Sequence, residues 1–484
     1  MSGAGTTVLV SVPHGGAAGN ILRTGVVSRV LAAHPSVRVV LVSPLVQDAG
    51  FSKEFTDPRI VLEDLPAHRP TGLEARLMAL VQAAYLDSGV TESVKIRRTE
   101  ATEKGAVRWV KAKKLIASAV APSLVKPATR YDVSDRWVSH PWAEALFDRY
   151  QPAMLVVSNP GLILSEVPLL RVAAKRRIRS VAVDPSWDNF TNKLIPVRRV
   201  NRLIVWNELM KEQAIALHGY AAEEIRVAGT PQWDPYFGPD VVVPREIFMR
   251  LIGADPARKL ITLTTSPAEL YSHCDHVIAV LIDAMAARRW SHPVQVLVRV
   301  HPRDDRARYS AFNQIPDVIV EKPFRQTVRA GDGMAVDVTA DCQRHLANTM
   351  AHSDVVVQVA STIAIEASIF DTPVVNVSFD GEMPSPFVRS ARRYTQFTHF
   401  VNILNRGAVR DARTPEEMVA HIGRYLDDPA LDREGRRQVV LDQCQFLDGR
   451  AAERVAAFVS EALGEVTGLL VPATACAESL VSSH

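Results

Sequence analysis

Short runs rich in Val, Ile and Leu alternate with helical segments along most of this chain, and the alternation begins twice. The first group is TTVLVSV (6–12), VRVVLVSP (37–44), AMLVVSNP (153–160), RSVAVDPS (179–186) and RLIVWN (202–207). The second is KLITLTTSP (259–267), VQVLVRVHP (294–302), DVIVEKP (317–323), SDVVVQVAS (353–361) and TPVVNVSFD (372–380). Near-continuous apolar runs suit strands buried on both faces. A helix between two such strands makes the connection that parallel pairing requires. The expected class is therefore α/β, with two Rossmann-like domains facing a cleft. One large doubly wound domain is the alternative. The Pro-, Gly- and Asp-rich stretch GTPQWDPYFGPDVVVPRE (229–246) reads as the linker. The expected bounds are 1–240 for an acceptor domain with a basic insertion near 90–135, and 241–412 for a nucleotide-donor domain. Helices over 413–465 are expected to pack back, and 466–484 reads as a tail.

The 484 residues suit two domains. The 56 basic and 53 acidic side chains leave a net charge of +3. That balance speaks against a nucleic-acid partner. Four scattered cysteines, Cys274, Cys342, Cys444 and Cys476, have neither metal-ligand spacing nor the look of a disulfide framework. They fit a reducing, cytoplasmic setting. The first residues lack the charged and apolar regions of a signal peptide. No window reaches the roughly 20 apolar residues of a membrane helix.

Chemistry concentrates at strand ends of the second group. Ser361 and Thr362 follow a buried strand and open a helix, which is both an N-cap pattern and an anion site. Glu366 lies four residues after Thr362, on the same helix face, where a carboxylate would accept from ribose hydroxyls. His301 and Pro302 follow another strand, where a histidine would donate to a phosphate. Ser266, with Thr265, ends the first strand of the group. Taken singly, each of these also reads as an ordinary cap or turn. Their agreement on one sheet edge is what points to a donor nucleotide, since ligands of such sheets bind beyond the carboxyl ends of the strands.

The runs DPSWDNFTNK (184–193), WNELMKEQAIALHGYAAEEIRVAGTPQWDPY (206–236), VRVHPRDD (298–305) and ASTIAIEA (360–367), in that order, resemble the CDP-glycerol glycerophosphotransferase and surface-polysaccharide transferase group. The resemblance covers roughly 150–460, and the closing DGRAAER (448–454) is similar to that group's C-terminal signature. It implies a GT-B fold, with donor phosphates on His301, Ser361 and Thr362 and the ribose on Glu366. It also implies no metal, and no Asp-x-Asp motif stands in a suitable loop. Where the group has Asp-Tyr-Ser-Ser, this chain reads Gln358, Val359, Ala360, Ser361, Thr362. A nucleotide sugar therefore fits as a donor at least as well as CDP-glycerol.

Transfer to a hydroxyl with inversion needs a base. His14, in PHGGAAGNILRTG (13–25), directly follows the first strand. Gly16 there permits close backbone approach, and Asn20 and Arg23 are candidate substrate contacts. Asp188 is the rival base. Trp187 would stack on a sugar, while Asn189 and Lys193 would read hydroxyls. A tight strand-helix turn, and an Asp-Asn loop around a half-buried Trp, are the plain structural readings of these two runs.

KIRRTEATEKGAVRWVKAKK (95–114) carries eight Lys and Arg against two Glu. As an amphipathic basic helix it would allow peripheral contact with the inner face of a membrane, suiting a lipid-linked acceptor. As a solvated insertion it would do nothing of the kind. The leading functional reading is a glycosyltransferase of surface glycans that takes a nucleotide-activated sugar or polyol donor and a glycan or lipid-linked acceptor. A nucleotide-sugar 2-epimerase and a non-catalytic nucleotide-sugar-binding protein are the alternatives.

Overall fold

The computed structural model describes residues 5–103, 138–193, 195–326, 336–383 and 385–468. The chain divides into two compact units. Unit 1 takes the chain up to Asp234, the described part of the 326–339 stretch, and the chain from Gln445. Unit 2 takes Pro235–Arg325 and Ala340–Cys444.

Unit 1 is built on a seven-stranded sheet: β1 (Thr7–Ser11), β2 (Arg38–Val42), β3 (Ile60–Glu63), β4 (Met154–Val157), β5 (Arg179–Val183), β6 (Arg202–Val205) and β7 (Ile225–Val227). The order is β3-β2-β1-β4-β5-β6-β7, parallel throughout. Strand order reverses between β1 and β4. The crossovers include α1 (Val26–Ala33), α2 (Gly72–Ser88), α3 (Glu92–Ala101), α4 (Pro141–Tyr150), α5 (Val167–Lys175) and α6 (Glu208–His218). Local chemistry sets their ends. Asn207 caps α6 by accepting from the Met210 N–H at 2.9 Å, and Gly219 ends it at φ 66°. α1 lays Val26, Val27 and Val30 into the core beside Val8 and Val10 of β1.

Unit 2 repeats the plan with β8 (Lys259–Thr264), β9 (Val294–Arg299), β10 (Val318–Glu321), β11 (Val355–Gln358), β12 (Val374–Val377) and β13 (Val409–Ala412). The order β10-β9-β8-β11-β12-β13 is again all parallel and reverses between β8 and β11. α7 (Cys274–Ala286), α8 (Ala340–His352), α9 (Ile363–Ile369), α10 (Pro415–Asp427) and α11 (Arg433–Cys444) cover it. α11 packs on α9 with Gly435 facing the carbonyl of Arg406, where an added Cβ would lie 2.4 Å from that oxygen. Arg436, fully buried, pairs with Asp371 and bonds the carbonyls of Leu431 and Pro429.

The closing helices divide rather than packing as one group. α10 and α11 belong to unit 2, and α12 (Ala451–Thr467) belongs to unit 1. There α12 buries Val455, Ala456, Val459 and Leu463 against α1 and the sheet. The reason is periodicity: its apolar residues recur at helical spacing and need a sheet face to cover. No helix among the described residues is long and apolar enough to cross a membrane. Only the start of the basic stretch is described. There α3 buries Val94 and Ile96, and Arg97 donates to Asn192 Oδ1 at 3.2 Å, so this part is docked into unit 1. The remainder, 104–114, lies outside the described residues, as does Cys476. Cys274, Cys342 and Cys444 are buried and unpaired with one another.

Asp234 secures α12 from a distance: its carboxylate accepts from the Ala451 N–H at 2.8 Å and the Ala452 N–H at 2.7 Å. It serves as an N-cap supplied from elsewhere in the chain. Asp234→Ala is expected to cost about 1–2 kcal/mol of local stability. Hydrogen exchange of the first-turn amides of α12 should quicken accordingly, and Asp234→Asn should restore part of the protection.

Candidate functional site

In unit 2 the sequence candidates sit at the carboxyl ends of three adjacent strands, β9, β8 and β11, which flank the order reversal. Thr265 Oγ1, past β8, accepts from the His301 N–H at 2.9 Å and so ties the loop after β9 to its neighbour. His301 Nδ1 accepts from the Arg303 N–H at 3.1 Å. A neutral imidazole that accepts on Nδ1 must carry its proton on Nε2. Burial lowers the His301 pKa to about 4, with the Arg303 and Lys322 charges adding to the effect. Near neutrality His301 is thus an uncharged donor through Nε2, suited to a phosphate oxygen and unsuited to accepting a proton there.

Past β11, Ala360 takes φ +26°, an uncommon value for a residue with a Cβ. Its N–H bonds Asn376 Oδ1 at 2.7 Å, which holds the turn. Ser361 Oγ accepts from the Ile363 N–H at 3.3 Å, and Ser361 and Thr362 are half-exposed. Below them Gln358 is fully buried, and its amide makes no hydrogen bond among the described residues. Glu366 is buried, and its Oε2 accepts from the Tyr236 hydroxyl at 2.6 Å. Burial raises its pKa to about 7, opposed by the Tyr236 bond and the Arg299 charge. Its carboxylate is therefore part-engaged rather than free, with Oε1 the oxygen left to meet a ribose. Ser266 is nearly buried and bonds Cys274 Sγ through its N–H at 3.3 Å. The Tyr236 contact was not foreseen because the tyrosine lies 130 residues away, in what reads as linker.

In unit 1, His14 follows β1 and caps a short helical turn, its Nδ1 accepting from the Ala17 N–H at 3.2 Å. The tautomer argument applies again, and burial lowers its pKa to about 4. With Nδ1 accepting, the remaining nitrogen of the neutral ring is a donor. Gly16 lies against the ring: a Cβ would stand 3.3 Å from His14 Nδ1. Asn20 is buried in a π-helical turn (Ala18–Leu22), and neither of its amide atoms finds a hydrogen bond among the described residues. Arg23, expected as a substrate contact, is engaged within the protein. Its guanidinium pairs with Glu54 and Asp337 and also bonds the Val338 carbonyl, at 7% side-chain exposure. No donor is left over for a phosphate.

The loop after β5 is a hydrogen-bonded scaffold. Asp188 accepts from Ser186 Oγ at 2.5 Å and Asn192 Nδ2 at 3.1 Å, with Lys193 Nζ 3.4 Å away. Trp187 is buried, so its face is not offered for stacking, and Asn189 is buried and bonds Asp184 Oδ1. Both substrate expectations give way to packing. Asp184 itself is fully buried, which pushes its pKa up to about 8. Glu166, after β4, was also missed. It is fully buried, accepts from the Ser158 N–H at 2.9 Å and hydroxyl at 3.1 Å, and is raised by burial to about 8. An acid inside the apolar run LSEVPLL was its only signal.

No family model matches the chain. It is 24% identical over 340 residues to a lipid-A-disaccharide synthase of Geobacter sulfurreducens, covering 64% of this chain and 78% of that protein. It is 24% identical over 253 residues to one from Syntrophotalea carbinolica, covering 51% and 58%. Among solved structures, a UDP-GlcNAc 2-epimerase from Neisseria meningitidis bound to UDP-GlcNAc matches with a TM-score of 0.54 at 10% identity, over 95% of this chain and 100% of that one. The S. aureus MnaA–UDP co-structure matches with a TM-score of 0.53 at 12% identity, over 95% and 97%. The fold is therefore that of two Rossmann-like α/β domains, the GT-B class.

Two measurements check this electrostatic picture. Nitrogen-15 spectra of the histidine rings should show His14 and His301 as neutral Nε2–H tautomers at pH 6, each titrating near 4. Glu166 carries a raised acid pKa, so the folded state holds its proton where the unfolded chain has lost it. Stability should fall as pH rises from about 4 to about 8 and level off above. Asp184 and Glu366 add to the decline, and Glu166→Gln removes only the Glu166 share, so the variant should gain on the wild type at pH 9 in denaturant melts and lose the advantage at pH 4.

Proposed function

We propose that the chain is a nucleotide-sugar glycosyltransferase of surface or lipid-linked glycans, with the donor nucleotide on unit 2. The observation that carries this is the convergence of Ser266 after β8, His301 after β9, and Ser361, Thr362 and Glu366 after β11 on three neighbouring strand ends at an order reversal, where α/β sheets bind ligands. His301 Nε2–H and the Ser361 and Thr362 hydroxyls take the diphosphate, and Glu366 takes the ribose. The donor is a UDP-sugar rather than CDP-glycerol. The relatives named lipid-A-disaccharide synthase support a sugar donor and a lipid-bearing acceptor, and the fold neighbours with UDP or UDP-GlcNAc support the base. Without a metal, the His301 donor and the hydroxyls stabilise the departing diphosphate as charge develops on it.

On unit 1, Asp188 is the general base, taking the acceptor hydroxyl's proton. Ser186 and Asn192 orient its carboxylate. His14 donates through Nε2 to a substrate oxygen. The protein works at the cytoplasmic face of a membrane, in peripheral contact with its lipid-linked acceptor. No metal ion enters this mechanism.

The test is turnover with a UDP-sugar and a lipid-linked saccharide acceptor. Asp188→Asn should lower kcat by about 10²–10⁴ and leave nucleotide affinity unchanged. Glu366→Gln should weaken UDP binding about tenfold, the scale of a hydrogen bond to a charged group. Sugar interconversion without an acceptor would make the chain an epimerase instead. A thermal shift with CDP-glycerol but none with UDP-sugars would overturn the donor assignment.

A further inference from the structure

A separate cluster lies in unit 1, around the carboxylate of Glu74 in the first turn of α2. His68, in the loop after β3, brings Nε2 to 3.0 Å from Glu74 Oε1. His140, directly before α4, brings Nε2 to 3.8 Å from the same oxygen. Both elements deliver these groups to the carboxyl edge of the first sheet: one loop leaves β3 there, and α4 begins there before running back to β4. One ligand atom from each of the three residues falls within 4.8 Å of the others. The rings of His68 and His140 meet edge to face at 5.2 Å.

Two observations separate this cluster from an ordinary buried ion pair. First, His140 is 8% exposed, and its Nε2 makes no hydrogen bond among the described residues, though it is aimed at Glu74. A buried polar atom left so is costly and calls for a partner. Second, the cluster borders a cavity of about 480 Å³, whose lining includes Pro66, Leu73, Trp142 and Pro168. A ligand held there has an entry path and room for an exogenous group.

We propose that His68, Glu74 and His140 form a zinc-class transition-metal site with an open coordination position toward this cavity. Two imidazoles and one carboxylate are a set that zinc accepts, and three protein ligands leave a fourth position for water or an oxygen ligand. Tetrahedral bonds of about 2.0–2.1 Å set neighbouring ligand atoms about 3.3 Å apart. The separations of 3.0 and 3.8 Å straddle that value, so small ring movements close the site. Arg171, 3% exposed, brings Nη1 to 3.1 Å from the same Glu74 Oε1 and pairs with the carboxylate. A carboxylate has two oxygens, so the Arg171 ion pair can pass to Oε2 when a metal takes Oε1. An anion in the metal's place would face the Glu74 charge directly, which is why a cation is favoured despite Arg171. The site stands on unit 1 geometry alone and is independent of the donor assignment.

The experiment uses the tag-free full chain, stripped with chelator and titrated with Co²⁺ under visible spectroscopy. Equimolar uptake with the intense d–d bands of tetrahedral Co²⁺, displaced by Zn²⁺, is the expected result. His68→Gln and His140→Gln should each weaken binding by at least about tenfold, the lower end of what losing even an outer-shell partner costs. X-ray absorption on the zinc-loaded wild type should show nitrogen and oxygen neighbours with imidazole scattering, a readout that needs no variant to fold. Absence of Co²⁺ uptake by the wild type would overturn the proposal. So would sulfur in the coordination shell, or uptake unchanged in both folded variants.

Discussion

Everything in this molecule depends on the parallel strand pairing of its two large sheets. A parallel sheet needs both faces covered, so every strand is followed by a segment that crosses a face and returns. That requirement sends all strand-to-helix loops to one edge. It also fixes where polar groups can go, because strand interiors made of Val and Ile offer no place for them. His14, Ser158, Asp184, Thr265, His301 and Ser361 all lie just past a strand's carboxyl end for this reason. At the order reversals, β1/β4 and β8/β11, neighbouring loops diverge and leave room for a ligand.

The buried polar groups at these edges share a logic. Desolvation pushes Glu166, Asp184 and Glu366 toward their neutral acids, and pushes His14 and His301 toward their neutral bases. These five side chains thereby lean toward their neutral forms while keeping directed hydrogen bonds. A backbone N–H on Nδ1 fixes the tautomer of each of the two histidines, and with it their role as donors. A nucleotide diphosphate brings its own negative charge. Neutral donors meet it without competing for the counter-charge of buried acids.

The central strands were legible in the sequence because burial on both faces leaves an unbroken apolar run. Three of the four edge strands were not. Ile60–Glu63 is half-buried along its length, Ile225–Val227 has three residues, and Val409–Ala412 carries Arg410 and Asp411. Each is short or only part-buried and therefore lacks the run. The site was legible to the same degree. Residue types at strand ends announced His301, Ser361 and Glu366, but partners distant in sequence decided what their atoms do. Tyr236 on Glu366 comes from a segment read as linker, and Asp337 on Arg23 from one that carried no motif. The His68, Glu74 and His140 cluster stayed hidden because its members are spread over 73 positions and only folding gathers them.

The central claim is that the carboxyl edge of unit 2 holds a nucleotide diphosphate. Hydrogen exchange of the full chain, with and without saturating UDP-sugar, tests it most directly. The account predicts slowed exchange in the loops after β8, β9 and β11, at residues 265–266, 301–304 and 360–366. Protection confined to the loops after β1 and β4, or no protection at saturating nucleotide, would contradict it.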